Sequence, residues 1–156
     1  IAQELNLFFL GYSVYFRHPL VKWAVKTARL IAVDPAVNLT EAMQASSYVL
    51  RNKKSLCVFP EGERSIDDQV KPFKKGVGVL IKETAALVVP CYIQGSHYSW
   101  PRGKAFPRPY PIKIIFGKLC SREELKETGA KITNGDEYEA ITMGLRGKVM
   151  ELSALT

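Results

Sequence analysis

At 156 residues, 47% hydrophobic and 24% charged, the chain is long enough for one buried core and short for two. Its formal net charge of +7 is thickest at Arg51/Lys53/Lys54, Lys71/Lys74/Lys75 and Arg102/Lys104/Arg108. Such a surface draws phosphates of any kind, and charge alone does not choose among nucleic acid, a nucleotide and anionic lipid headgroups. Neither an apolar run of about 18 residues nor a signal-peptide pattern occurs, so the sequence holds no candidate for a membrane-crossing helix. Cys57, Cys91 and Cys120 sit singly, without Cys-x-x-Cys spacing. They read as small buried thiols in a reducing, cytosolic setting, with no disulfide framework.

In chain order, the first residue is Ile1 and residues 1–6 read as helical, from which a truncated N-terminus is expected. Leu7 to Val14 is apolar and aromatic enough for a strand. Pro19 opens a short helix to about Ala28, since proline's missing N–H costs nothing in a first turn. Leu30 to Val33 is a short strand ended by Asp34-Pro35. Asn38, with Glu41 three residues on, predicts a capped helix to about Asn52, and Ser55 to Phe59 a strand. Beyond the FPEGERS loop come a helix from Gly76 to Ala86 and a fully buried strand from Leu87 to Ile93, interrupted by Pro90. Ser99 to Pro111 is one long ordered loop, Ile112 to Phe116 a strand. Ser121 with Glu124, and Asp136 with Glu139, look like capping boxes of a short helix and a long C-terminal one. Strands between helices predict one α/β domain, residues 1–156, with a largely parallel or mixed sheet flanked by helices.

Ligand sites in such sheets gather at the carboxyl ends of strands, where Pro60 to Ser65 falls. Gly62 lets a ligand approach the backbone, Arg64 offers a planar fork for phosphate or carboxylate, and Glu61 can orient that fork or accept a hydrogen bond from a hydroxyl. The plain alternative is a solvated turn whose Glu and Arg side chains pair with each other. Phe73-Lys74-Lys75-Gly76 before the next helix reads either as an anion site at a helix start or as a solubilising lysine pair. Gly76-Val77-Gly78 is too short for a dinucleotide fingerprint.

FPEGERS resembles the Phe-Pro-Glu-Gly-Thr-Arg-Ser block of the glycerolipid acyltransferases, the group that includes lysophosphatidic acid acyltransferase. PFKKGVGVLIKE is similar to that family's Phe-Lys-x-Gly helix start, VVPCYIQG to its Val-Pro-x-x-Ile-x-Gly strand and LIAVDP to its strand ending in Asp-Arg, in matching order from Leu7 to Lys118. The resemblance implies the glycerol-phosphate-acyltransferase fold and transfer of a fatty acyl group from acyl-CoA or acyl-carrier protein to a hydroxyl of a lysophospholipid or glycerol phosphate. The thioester is a co-substrate, and no further cofactor or metal is expected. By the same resemblance Glu61, Gly62, Glu63, Arg64, Ser65 and Lys75 bind the acceptor. The family's chemistry lies in a His-x-x-x-x-Asp block, histidine acting as general base and aspartate fixing its tautomer.

That block is not matched: five positions after His18 and His97 stand Trp23 and Arg102. The sequence therefore predicts a fragment that transfers no acyl group without an upstream dyad. Asp34-Pro35 stands where the family often has Asp-Arg, and Glu63 where it often has Thr. One basic group lost and one acidic group gained suggest a zwitterionic lysophospholipid whose ammonium approaches Glu63. Basic and aromatic residues between Trp100 and Tyr110 suit peripheral docking at an anionic membrane surface on the cytoplasmic side, unless Trp100 and Phe106 tuck into the core. A catalytically silent lipid- or acyl-binding module of the same fold is the alternative. Nucleic acid is not an expected partner, because the basic residues form no single stripe and no recognition motif occurs.

Overall fold

A computed structural model of the chain describes residues 6–12, 29–34, 36–67, 69–104 and 106–155. The helix expected from Pro19, the end of the first strand at Ser13 and Val14, and His18 lie outside them. The chain divides into two compact units, Ile1–Pro60 and Glu61–Thr156.

In the first unit, β1 (Leu7–Tyr12), β2 (Leu30–Val33) and β3 (Ser55–Val58) form a parallel sheet of order β2-β1-β3. Phe9 lies opposite both Leu30 and Cys57, so β1 is hydrogen-bonded along both edges. Parallel strands need a crossover, and helix α1 (Leu39–Arg51) supplies the one from β2 to β3, which flank β1 on opposite edges. Its buried residues Ala42, Ser46 and Val49 recur at helical spacing, and α1 packs on all three strands. The Ser46 hydroxyl, fully buried, donates to the Ala42 carbonyl at 2.7 Å and so carries no unmet polar group into the interface. Asn38 does precede α1, but its side chain makes no cap bond. It instead accepts from the Asp34 amide at 2.6 Å and donates to the Ala32 carbonyl at 3.2 Å, closing the turn that leaves β2.

The second unit is built on helices. It runs through α2 (Gly76–Thr84), β4 (Cys91–Gln94), the one-turn α3 (Ser96–Ser99), β5 (Lys113–Phe116), α4 (Arg122–Ala130) and α5 (Glu137–Ser153). Val77, Ile81, Cys120, Leu125, Ile141 and Leu145 form its core, with Phe73 and Val88 packed against it. Two glycines set how close α4 and α5 come. A side chain on Gly129 would collide with the Ala140 carbonyl, and one on Gly144 with the Leu125 carbonyl. Gly78 does the same for α2 against the Tyr138 carbonyl of α5, so its absence of a side chain serves helix packing.

Both expected caps of this unit form: Ser121 Oγ accepts from the Glu124 amide at 3.2 Å and Asp136 Oδ1 from the Glu139 amide at 2.9 Å. The expectation of a fully buried strand from Leu87 is corrected. Leu87 and Val89 are 63% and 47% exposed, only Val88 bridges to Cys120, and regular pairing starts after Pro90, which has no N–H to give a ladder. β4 pairs with β5 antiparallel, Cys91 opposite Phe116, so the strands are parallel in one unit and antiparallel in the other. Cys120 is buried, Cys57 and Cys91 half-buried, and burial pushes the Cys91 and Cys120 thiols up, which disfavours the thiolate. Among the described residues no helix is long and apolar enough to cross a membrane.

Candidate acceptor site

The Pro-Glu-Gly stretch that follows β3 carries the chain from the first unit into the second. Gly62 turns it with a φ of +72°, a left-handed value that side chains resist. Around Gly62 the loop's polar groups acquire partners from distant parts of the second unit.

Glu61 is half-buried, and that burial pushes its carboxyl above its ordinary 4.5; the Lys71 backbone amide and the Lys71 charge pull the other way. The segment carrying Lys71 is held from α5, where Arg146 Nε donates to the Lys71 carbonyl and Nη2 to the Val70 carbonyl, both at 3.1 Å. Lys74 lies along Gly62, its Cγ and Cε 3.4 Å from where a side chain there would begin. Lys75 goes elsewhere. Its ammonium pairs with Asp136 at 2.9 Å and Glu139 at 3.6 Å at the start of α5, which holds its own pKa up and that of Asp136 down. The lysine lying along Gly62 is thus Lys74, while Lys75 meets the start of α5.

Glu63 and Arg64 do not pair with each other. The Glu63 carboxylate takes an ion pair from Arg102 at 3.0 Å, so the acidic gain read from the sequence is offset by a cation from the loop after β4. Arg64 is half-buried with its guanidinium 5.1 Å from the centre of the Trp100 ring, within cation–π range. Ser65, also half-buried, completes the stretch. The loop that supplies Trp100 and Arg102 is tied by hydrogen bonds at its described residues. Trp100 Nε1 donates to the Lys104 carbonyl at 2.8 Å, Arg108 Nε to the Tyr98 carbonyl at 2.7 Å, and the Arg108 amide to the Ser99 carbonyl at 2.8 Å. Its aromatics do not enter the core: Trp100 is 45% and Phe106 84% exposed.

Beside the continuation of the loop lies a cleft of about 310 Å³ lined by Asp67, Gln69, Val70, Tyr92, Gln94, Tyr98 and Ser153. His97 sits against the edge of Tyr98 at 5.3 Å, and among the described residues its buried Nδ1 has no hydrogen-bond partner and no carboxylate orients it. It has the surroundings of a packed structural histidine. Among the described residues no group of three or more His, Cys, Asp and Glu is arranged to hold a metal.

The arrangement suits an anionic headgroup that also carries a hydroxyl. Arg64 and Lys74 supply charge-assisted donors, Gly62 allows close backbone approach, and Glu61 can accept from the hydroxyl. Lys74, Trp100, Arg102 and Arg146 were not assigned to this loop from the sequence. Their partners lie many residues away in the chain, and local spacing carries no signal for that.

Comparison with known proteins brings the same stretch forward. The chain is 33% identical over 102 residues to a 1-acyl-sn-glycerol-3-phosphate acyltransferase of Limnanthes douglasii, covering 64% of this chain and 36% of that protein. With the Cocos nucifera enzyme of the same name it shares 30% over 99 residues, covering 64% and 32%. It thus spans about a third of the length of the curated relatives it matches. Its fold is similar to the crystal structure of the 1-acyl-sn-glycerophosphate (LPA) acyltransferase PlsC from Thermotoga maritima, with a TM-score of 0.70 and 21% identity, covering 96% of this chain and 57% of that one. The family model described as Acyltransferase matches residues 2–94, more than half of the chain and all of FPEGERS, and the chain belongs to that family.

Proposed function

We propose that this chain is the acceptor-holding part of an O-acyltransferase of the 1-acylglycerol-3-phosphate type. In this reading Arg64 and Lys74 grip the phosphate of a lysophospholipid or glycerol phosphate while Glu61 fixes the hydroxyl that is to be acylated. That hydroxyl oxygen attacks the carbonyl carbon of an acyl-CoA or acyl-carrier-protein thioester, the C–S bond breaks, and the proton passes through a general base to the departing thiolate. Neither histidine of the sequence has a carboxylate at the family's spacing, so on this reading the 156 residues by themselves bind the acceptor and transfer nothing.

The observation that carries the proposal is the setting of Arg64: a half-buried guanidinium braced by an aromatic ring, in a family-matching loop beside a lysine and a desolvated carboxyl. The test is binding to neutral vesicles containing lysophosphatidate or uncharged monoacylglycerol. Lysophosphatidate vesicles should bind more tightly, and Arg64→Ala should remove the difference. Equal binding of both lipids, or an Arg64→Ala variant that still discriminates, overturns the reading.

The acceptor resides in a membrane, and we propose peripheral docking through the loop that carries Lys104, Phe106 and Arg108, on the cytoplasmic side. Phe106 is the most exposed large apolar residue among those described, and it stands between two cations. Each such cation contributes about 1 kcal/mol near an anionic leaflet. Binding to anionic vesicles should weaken as salt rises and weaken again in Phe106→Ser; salt-independent binding argues against this surface.

A further inference from the structure

The two charged side chains flanking the FPEGERS glycine are governed by one distant turn. Trp100 lies over Arg64 at 5.1 Å, and Arg102 reaches Glu63 at 3.0 Å. The turn itself is pinned. The Trp100 indole N–H donates to the Lys104 carbonyl at 2.8 Å, the Lys104 amide donates to the Pro101 carbonyl at 3.2 Å, and the Arg108 amide ties the loop's far end to Ser99 at 2.8 Å. A ring held at its N–H end keeps its face where it is. A guanidinium held over that face is kept in one place beside Gly62, and a fixed planar fork is suited to gripping two phosphate oxygens at once.

The ion pair has a separate consequence. Glu63 and Arg102 are about half exposed, at 41% and 48%, so the pair contributes little to stability. It does set charge. With Arg102 in place, Glu63 presents no net negative charge beside Arg64. Without it, the same carboxylate would repel an anion and attract an ammonium.

We propose that the Trp100–Arg102 turn is the positioning and selectivity element of the acceptor site. Trp100 orients Arg64 for a phosphate monoester, and Arg102 ties up Glu63, so that a dianionic headgroup is favoured over a zwitterionic one. The inference rests on the reading of Glu61–Ser65 as the acceptor site, and it extends that reading to residues that meet the loop only through the fold.

The test measures binding of the whole chain to phosphatidylcholine vesicles doped with lysophosphatidate or lysophosphatidylethanolamine. Trp100→Leu should weaken lysophosphatidate binding about five- to tenfold and leave the ethanolamine lipid unchanged. Trp100→Phe, which keeps a ring and loses the indole N–H, should recover most of that affinity. Arg102→Ala should cut the preference for lysophosphatidate about fivefold, and adding Glu63→Thr should restore it. If Arg64→Ala abolishes lysophosphatidate binding while Trp100→Leu and Arg102→Ala change nothing, the inference falls and the acceptor reading stands. If Arg64→Ala also changes nothing, both fall. Equal losses for both lipids in Trp100→Leu and Trp100→Phe, with a lower melting temperature, mean that Trp100 only braces its own loop, and that too overturns the inference.

Discussion

Two regions of the second unit are built from opposite materials. The interface of α4 and α5 is dry, centred on Leu125 and Ile141 at 0% exposure, and it is drawn tight by glycines at which even a methyl group meets backbone. The FPEGERS loop is half open, charged, and held by a cation–π contact and an ion pair, with two hydrogen bonds from Arg146 fixing the Val70–Lys71 segment that follows it. The first region contributes stability and tolerates no added volume. The second contributes little stability and keeps polar groups where a ligand can use them, the division expected of a site supported by a rigid scaffold.

The sharpest way to break the contrast is on α5 itself. Gly144→Ala should destabilise by about 3 kcal/mol, because the new methyl meets the Leu125 carbonyl. Gly147→Ala, one turn on, finds only ordinary contact with Ile132 and should be neutral or stabilise by about 0.5–1 kcal/mol. Urea unfolding of the two variants side by side reads this difference. Ser121→Ala removes a formed cap and should cost about 1 kcal/mol in the same experiment, with lipid binding unchanged.

In the loop the effects should move from stability to binding. Lys74→Met should weaken lysophosphatidate binding about fivefold with little change in unfolding midpoint, whereas Lys75→Met, which removes the partner of Asp136, should leave lipid binding alone. Vesicle co-sedimentation separates the two lysines. The smallest effect concerns Glu61. Its carboxyl titrates above 4.5 in the fold because burial disfavours the charged form, so the folded chain holds this proton to higher pH than the unfolded chain does. The stability it contributes is therefore full in acid and is lost as pH rises through the raised value. Glu61→Gln should match the wild type below pH 4.5 and be slightly more stable at neutral pH, while losing acceptor binding. Melting temperatures across that range check the sign.

Much of this scaffold was legible in the residues, for reasons that differ along the chain. Ser121 and Asp136 announced their helices because a cap is a local bond, formed within three residues and indifferent to the rest of the fold. Asn38 carried the same signal and was drawn into the β2 turn, where the Asp34 amide and Ala32 carbonyl offered partners at 2.6 and 3.2 Å. Leu87 to Ile93 looked continuous as an apolar run, and Pro90 decided where pairing could begin. The site divides in a similar way: Gly62 and Arg64 stand out by residue type at a strand end, whereas Lys74 and Lys75 look alike in sequence and only the fold sets Lys74 along Gly62 and Lys75 against Asp136.

The sequence by itself determined the order of the described elements apart from the one-turn α3, the helix caps of the second unit and the loop on which a headgroup site would be sought, since each depends on short-range patterning or on a family motif quoted in order. Only the tertiary structure decided what that loop touches. Arg102 came to offset Glu63, Trp100 to brace Arg64, and Arg146 to hold the Lys71 segment, each across dozens of residues. Electrostatic and stacking energies depend on distance in space, and the folding of the second unit sets those distances where no spacing in the sequence does.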